Sequence, residues 1–350
     1  MTTILKSEHK VMNQNIIFEV KNKLGVIILN RPKALNALNG DMFLSLREKL
    51  LSWQDNPAIK AVLIRSSSEK AFCAGGDIRA IYENKHQSAD EIARYFQLEY
   101  SIDRLIFEFP KPYIALLNGI TMGGGVGVSI HGSHSIAATN LRWGMPETRI
   151  GFFPDVGASY YLSRLPHHIG TYLALTGNSI SADEAVQLNL VQSIMSFNQF
   201  DALEKKLSEA DFDLDDLEAT TKVIRLFSQP VNTVEFDYVE EIKASFCFPT
   251  VEAIMAALLN QNTAWSLETL QQLRQRSPTS LKVTLKQLQL AKEKTIEDVI
   301  KMDLHIAQIM LTQPDFFEGV RATIIDKDKN PKWQPIALVD ISDTMVAKYF

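Results

Sequence analysis

The sequence is poor in cysteine and has no block of like charge. Its two cysteines, Cys73 and Cys247, stand far apart and neither lies in a metal-ligand spacing. A disulfide framework and a zinc cluster are therefore not expected, and no metal site is predicted. The 36 basic and 41 acidic residues give a net charge of −5 without a basic run. This balance offers no electrostatic reason to bind nucleic acid.

The N-terminal segment also lacks the usual targeting signals. Residues 1–16 hold one short apolar stretch before charges return, with an acid and no arginine. A secretory signal and a transit peptide are both disfavoured by this composition. Together with the scarcity of cysteine, it predicts a cytoplasmic location.

One long stretch, from Pro112 to Leu141, contains no Asp, Glu, Lys or Arg. Its length alone would suffice for a membrane span. Six glycines and several His and Asn residues interrupt it, however, and the apolar periodicity is broken. We therefore interpret the run as strand, turn, helix and strand inside a folded core, and predict no membrane partner.

Strand-like segments alternate with helical ones in the first part of the chain. The β-branched runs Ala61–Arg65 and Tyr113–Leu117 predict strands, and Asn36–Asn39 offers a cap for a helix. The C-terminal third is a succession of helical patterns. The sequence thus predicts an α/β core over residues 15–200 and a helical region over residues 201–350, with no linker between them.

Two glycine-rich turns each follow a strand and precede a helix. The first lies in Ala71–Arg79 and the second in Asn118–Gly127. N–H groups left free in such turns stabilise negative charge. A Walker loop would need a Lys that neither turn has, and a dinucleotide fingerprint would need glycine where Ile130 stands. An oxyanion hole built from both turns fits the pattern; glycines that serve only close packing are the alternative.

Candidate acids lie in a segment rich in Pro, Gly and Phe, Met145–Gly157. Apolar neighbours of Glu147 and Asp155 would raise the pKa of each carboxyl and suit it to act as a base or nucleophile. The alternative for Glu147 is a helix cap or an ion pair with Arg149. The chain has no G-x-S-x-G motif, and we interpret Cys73 as a core residue and not a nucleophile.

Several separated blocks, between about residues 15 and 335, resemble the crotonase (enoyl-CoA hydratase/isomerase) superfamily. The similarity is stronger to one branch, the 3-hydroxyisobutyryl-CoA hydrolases. The matching blocks are Asn30–Leu38, Ala71–Arg79, Ile120–Gly132, Met145–Gly157, Ser277–Leu288 and Phe316–Trp333. The resemblance implies a crotonase-like α/β fold of repeated ββα units with a helical C-terminal region. It also implies an acyl-CoA thioester substrate and no separate cofactor, since coenzyme A is part of the substrate.

The resemblance further implies which residues form the site. The N–H groups of Gly76 and Gly124 would hold the thioester oxygen. Glu147 would be the catalytic carboxylate with Asp155 as its partner, and Glu99 would contact the substrate. All five roles come from position in the family pattern.

Three cations near the first turn, Arg31, Lys33 and Arg79, are candidate partners for the CoA phosphates. The alternative is that they are ordinary surface charges.

The reaction implied is hydrolysis of 3-hydroxyisobutyryl-CoA, a step of valine catabolism. The hydratase pattern has a second glutamate, three residues after the middle glycine of the triplet. In this sequence that position is Gly127. The alternatives are an enoyl-CoA hydratase or isomerase, and an acyl-CoA-binding scaffold without chemistry. Exposed helical faces in the C-terminal third could form the interface of a homo-oligomer.

Overall fold

The computed structural model describes residues 14–84, 89–212, 215–230 and 236–350. Within these residues, ten strands form two sheets. The strands are β1 (Ile16–Lys21), β2 (Leu24–Leu29), β3 (Ala61–Ser66), β4 (Ala71–Cys73), β5 (Tyr113–Leu117), β6 (Ile120–Met122), β7 (His134–Ala138), β8 (Arg142–Gly144), β9 (Ser179–Ile180) and β10 (Ser193–Met195).

Sixteen α-helices complete the described part of the chain. They are α1 (Gly40–Gln54), α2 (Ile78–Glu83), α3 (Ala89–Phe107), α4 (Gly124–Ile130), α5 (Ala158–Leu162), α6 (Ile169–Thr176), α7 (Ala182–Gln187), α8 (Phe200–Ser208), α9 (Asp216–Arg225), α10 (Val239–Phe246), α11 (Val251–Gln261), α12 (Ala264–Arg274), α13 (Pro278–Ala291), α14 (Ile296–Met310), α15 (Pro314–Val320) and α16 (Asp343–Ala347). Two further helical turns border the site described below, a 3₁₀ turn at Glu147–Ile150 and a π turn at Arg321–Ile325.

The larger sheet has the strand order β1-β2-β3-β5-β7-β10, and only the β1–β2 pair within it is antiparallel. The smaller sheet has the order β4-β6-β8-β9, in which β4, β6 and β8 are parallel. The carboxyl ends of parallel neighbours lie at the same edge of a sheet. Because β4 pairs with β6, the two glycine-rich turns that follow them lie side by side.

The central strands are buried on both faces, which explains their unbroken apolar sequences. In β2, Leu24, Val26 and Ile28 pack in a cluster with α8 and α9, whereas Ile27 and Leu29 belong to the main core. Successive side chains of a strand point to opposite faces, so a strand covered on both sides must be apolar throughout.

Two local predictions are confirmed. The side chain of Asn39 accepts a hydrogen bond from the N–H of Met42 at 3.0 Å and so caps α1. The uncharged run Pro112–Leu141 contains the predicted strand, helix and strand as β5, α4 and β7, with the short strand β6 where only a turn was predicted. In the parts of the chain that the structure describes, no helix combines the length and apolarity that a bilayer crossing needs.

The helices that follow β10 lie on both sides of the larger sheet, with α8 and α9 in the cluster around Leu24, Val26 and Ile28, and α10 to α15 in the main core. α14 packs on α3, while α15 contacts α2 and the turn Glu147–Ile150. The main hydrophobic core includes residues from both sides of position 200. The division of the chain at that position stays a prediction.

Candidate active site

A cavity of about 300 Å³ lies where the two glycine-rich turns meet the segment Met145–Gly157. Its wall is mainly apolar and aromatic, with a few acids, as is typical of small-molecule sites. The side chains that line it include Ile78, Tyr95, Phe96, Glu99, Met122, Glu147, Arg149, Ile150, Phe152, Asp155, Phe316, Thr323 and Ile324. A larger cavity of about 380 Å³ between α11, α13 and α16 has no buried acid among its described lining residues.

The N–H groups of Gly76 and Gly124 lie together at this cavity. Leu38 donates its N–H to Gly75 O and accepts from the N–H of Asp77, both at 2.8 Å, which turns the N–H of Gly76 to the opposite side. Gly124 begins α4, so its N–H has no acceptor within the helix. A Cβ built on Gly124 would stand 3.3 Å from the nitrogen of Gly76. No described residue accepts a hydrogen bond from either N–H.

The second turn has no room for side chains. Gly123 has φ +52°, in the left-handed region, and a Cβ there would lie 2.8 Å from Oε1 of Glu147. A Cβ on Gly124 would overlap Oε1 of Glu99. The carboxyls of Glu99 and Glu147 can approach the turn only because its residues are glycines. The glycines thus serve close packing and the candidate site at the same time.

Glu147 is a buried acid at the start of the 3₁₀ turn, 8% exposed. Its Oε2 has no hydrogen-bond partner among the described residues. Burial, and secondly the nearby Asp155, raises the pKa of Glu147 well above its ordinary value. Arg149, the ion-pair partner that the sequence left open, donates to Asn178 at 3.1 Å and only weakly opposes the rise in the pKa of Glu147.

Asp155 and Glu99 face the same cavity. Burial raises the pKa of Asp155 to about 7, and a hydrogen bond from the hydroxyl of Tyr100, at 2.7 Å, opposes that rise. The pKa of Glu99 is raised well above its ordinary value by burial and then by Asp155. Carboxyls this close disfavour one another's ionisation, so the three acids titrate as a group.

Sequence reasoning missed the aromatic residues that brace these groups. The hydroxyl of Tyr95 donates to Leu38 O at 2.7 Å and accepts from the N–H of Asp77 at 3.1 Å, which fixes the first turn. Phe96 lines the cavity beside it. Both stand one helical turn before Glu99, and this i, i+3 and i, i+4 spacing is the signal that would have found them.

The three cations predicted to meet the CoA phosphates lie outside the cavity lining. Arg31 forms an ion pair with Asp77, Nη1 to Oδ2, at 2.6 Å. Arg79 donates to Ile324 O at 2.8 Å and so holds part of the cavity wall, while Lys33 is exposed. Their contact with a phosphate stays a prediction.

The arrangement is suited to reactions of a carbonyl compound. Two N–H donors directed at one oxygen stabilise the negative charge that develops there, each by roughly 3 kcal/mol. A carboxyl with a raised pKa can attack a carbonyl carbon or remove a proton near neutral pH. Within the described residues, no group of three or more His, Cys, Asp or Glu side chains is arranged to hold a metal ion.

Comparison with known proteins assigns the family. The model of the enoyl-CoA hydratase/isomerase family matches residues 24–350. The chain belongs to this family. The predicted fold class, a crotonase-like α/β fold with a helical C-terminal region, is confirmed by solved structures of family members. A carnitinyl-CoA dehydratase from Mycobacterium thermoresistibile has a TM-score of 0.89 and 30% identity, over 97% of this chain and 96% of that one.

Other members of the family extend the comparison. An enoyl-CoA hydratase from Rhodobacter sphaeroides 2.4.1 has a TM-score of 0.86 and 30% identity, over 96% of each chain. A curated relative from Bos taurus, "3-hydroxyisobutyryl-CoA hydrolase, mitochondrial", is 37% identical over 98% of this chain and 90% of its own length. The relative of the same name from Dictyostelium discoideum is 37% identical over 96% and 91%.

The predicted cytoplasmic location is wrong by this comparison. The relatives from Bos taurus, Gallus gallus, Xenopus tropicalis and Homo sapiens are all named as mitochondrial proteins. The prediction rested partly on the scarcity of cysteine, which separates reducing from oxidising compartments but does not separate one reducing compartment from another. It rested otherwise on residues 1–16, most of which lie outside the described residues.

Proposed function

We propose that this chain hydrolyses the thioester of 3-hydroxyisobutyryl-CoA to coenzyme A and 3-hydroxyisobutyrate. The curated relatives that carry this activity in their names match nearly the whole chain. The observation that carries the proposal is the position of Glu147, whose buried carboxyl faces the paired N–H groups of Gly76 and Gly124 across one cavity.

In the proposed reaction the thioester oxygen accepts hydrogen bonds from Gly76 and Gly124. Glu147 either attacks the acyl carbon, forming an anhydride that water then opens, or takes a proton from the water that attacks directly. In both routes the C–S bond breaks as negative charge returns from the carbonyl oxygen. The sulfur of coenzyme A leaves as a thiolate and takes up a proton.

Asp155 is the proposed source of that proton. A carboxyl with a pKa of about 7 is partly protonated at neutral pH, which suits a group that must both give and recover a proton. Glu99 and Asp155 also offer acceptors for the hydroxyl of the acyl group. A single methyl group changes discrimination by only about 10- to 200-fold, so we expect measurable turnover of 3-hydroxypropionyl-CoA as well.

Hydration of an enoyl-CoA is the second candidate, because the solved structures above are described as a dehydratase and a hydratase. A Cβ on Gly127 would lie 2.7 Å from Oδ1 of Asp103 and 2.9 Å from Cβ of Val156. A glutamate therefore has no space at the position where the hydratase pattern has its second one. This crowding favours hydrolysis over hydration.

The test measures free thiol and substrate together. Purified protein is incubated with 3-hydroxyisobutyryl-CoA, 3-hydroxypropionyl-CoA and crotonyl-CoA, and thiol release is followed with a chromogenic reagent. We expect thiol release from the hydroxyacyl thioesters. Glu147→Gln should lower kcat by about 10²- to 10⁴-fold, the range for loss of a catalytic base. Glu204→Gln is the matched control, because Glu204 is equally buried but pairs with Lys21 and Arg65 instead of lining the cavity.

Three outcomes would overturn the proposal. Loss of the crotonyl-CoA double bond without thiol release would indicate a hydratase. Binding of acyl-CoA without any turnover would indicate a scaffold. Wild-type turnover by Glu147→Gln would remove Glu147 from the mechanism.

A further inference from the structure

The short segment that presents Asp155 to the cavity contains a strained residue. Val156 has φ +51°, although it is β-branched and buried. Residues other than glycine rarely adopt this left-handed conformation, and for a β-branched residue it is a genuine outlier. Such a conformation persists only where the surroundings hold it, and contacts to the backbone of residues 154–157 supply that support.

Two buried side chains from the helical C-terminal region bind this segment. Nε2 of Gln287, on α13, donates to Pro154 O at 2.9 Å, and the N–H of Gly157 donates to Oδ2 of Asp303, on α14, at 2.8 Å. Gln287 also donates to Oδ1 of Asp303 at 2.7 Å, which links the two. The bonds therefore fall on both sides of the strained residue.

A third side chain binds the strained residue itself. Nε2 of His131 lies 2.7 Å from Val156 O. A carbonyl oxygen can only accept, so Nε2 carries the hydrogen. Burial lowers the pKa of His131 to about 4, which keeps the ring neutral at physiological pH. His131 directly follows α4, the helix that begins at Gly124. One short helix therefore has the N–H donor of Gly124 at its start and the contact of His131 with Val156 O at its end.

We propose that His131, Gln287 and Asp303 form a clamp that positions Asp155 by holding Val156 in its left-handed conformation. The three are positioning residues, since none of them lines the cavity. The inference rests on the proposed function for the role of Asp155. It assigns to α13 and α14 a part in catalysis that goes beyond covering the core.

The clamp predicts a specific kinetic defect when one bond is lost. Gln287→Met keeps the length of the side chain but cannot donate to Pro154 O. The segment then relaxes and Asp155 moves. A displacement of about 1 Å at a reacting group can cost about 100-fold, so we expect kcat to fall by about 10- to 100-fold. KM should change much less, because Asp155 is the one cavity-lining group that this variant displaces.

The matched control lies on the same helix, one turn earlier. Thr284 is fully buried and its hydroxyl has no hydrogen-bond partner among the described residues. Thr284→Val removes this hydroxyl without breaking a bond. It should leave kcat and KM at wild-type values, which separates loss of the clamp from general disturbance of α13.

Rescue by glycine distinguishes the clamp from ordinary structural support. Val156→Gly removes the side chain and the penalty for positive φ, whereas Val156→Ala removes most of the side chain and keeps the penalty. In the Gln287→Met background, the glycine variant should have about tenfold higher kcat than the alanine variant. In the presence of Gln287 the two should differ by no more than about twofold. Equal activity of the two double variants would overturn the proposal.

Hydrogen exchange gives a readout that does not depend on the substrate. Amide exchange in a peptide spanning residues 152–162 should be faster in Gln287→Met than in the wild type and Thr284→Val. If the wild type fails to release thiol, the proposed function falls while exchange still tests the clamp. If the wild type is active and exchange in this peptide is unchanged by Gln287→Met, the clamp falls alone.

Discussion

The hydroxyl of Tyr100 donates a hydrogen bond of 2.7 Å to Oδ2 of Asp155. Tyr100 directly follows Glu99 on α3, so two consecutive residues of one helix act on the cavity, Glu99 directly and Tyr100 through Asp155. Glu99 contributes a carboxyl, while Tyr100 stabilises the ionised form of the carboxyl opposite. The bond opposes the effect of burial and keeps the pKa of Asp155 at about 7, within reach of neutral pH.

Tyr100→Phe should therefore move the pH dependence of the reaction. Loss of a hydrogen bond to a charged group costs about 1.5 kcal/mol, which raises the pKa of Asp155 by about one unit. The shift is upward whether the reaction needs Asp155 ionised or protonated. We expect the inflection of kcat/KM near neutral pH to rise accordingly in a profile measured from acid to alkaline pH.

Tyr113→Phe is the control for this profile. The hydroxyl of Tyr113 is equally buried, but donates to Val128 O at 3.0 Å instead of to a carboxyl. Its loss should change stability and leave the inflection in place. An inflection that moves to lower pH in Tyr100→Phe, or that moves equally in both variants, would contradict the assignment.

A pair of Gly→Ala substitutions tests the close packing that brings the two N–H groups together. Gly124→Ala places a Cβ onto the carboxylate of Glu99 and against the nitrogen of Gly76. Ala keeps the N–H, but its Cβ must displace Glu99 or the first turn, so the two N–H groups no longer converge on one oxygen. We expect kcat/KM to fall by about 100-fold, a loss similar to that of one oxyanion donor. Gly40 likewise begins a helix, and a Cβ there meets nothing within 4 Å. Gly40→Ala should keep full activity and stabilise α1 slightly.

Steady-state kinetics and thermal unfolding should be measured on both variants. If Gly124→Ala loses activity at an unfolding temperature close to that of the wild type, the loss belongs to the site. Wild-type kcat/KM in Gly124→Ala would show that the reaction does not depend on the close approach of Glu99 and Gly76 to this turn.

The local parts of this structure could be predicted because their causes are local. Asn39 caps α1 through its own side chain, and the apolar sequence of β2 follows from burial on both faces. Each glycine-rich turn is also recognisable in the sequence, because it lies between a strand pattern and a helix pattern. The family resemblance pointed to Glu99, which nothing in its immediate sequence distinguishes from a surface glutamate.

The convergence of these parts could not be derived from the sequence. Gly76 lies beside Gly124 because β4 pairs with β6, and strand pairing depends on contacts between distant residues. The sequence allows an ion pair between Glu147 and Arg149 as the alternative to catalysis. Only the fold shows that Arg149 donates to Asn178. The bond from Gly157 to Asp303 spans 146 positions, and no local pattern indicates it.

Asp103 is a carboxyl buried next to the cavity acids. It is completely buried, and neither of its oxygens has a hydrogen-bond partner among the described residues. Burial first, and then the charges of Glu99, Asp155 and Asp303, raise its pKa well above the ordinary value of 3.8. The folded state thus binds a proton that the unfolded state releases. Above about pH 4 this acid makes folding less favourable as the pH rises, until its raised pKa is passed.

Asp103→Asn should remove this dependence, because an amide is neutral at every pH. The free energy of unfolding of the variant relative to the wild type should grow by up to about 1.4 kcal/mol per pH unit across that interval. Urea unfolding at several pH values from about pH 4.5 upward measures it. Asp41→Asn, at an exposed acid in the first turn of α1, is the control and should show no growth with pH. A gain for Asp103→Asn that is largest at acid pH would mean that Asp103 is ionised and stabilised in the fold, contrary to its unpartnered burial.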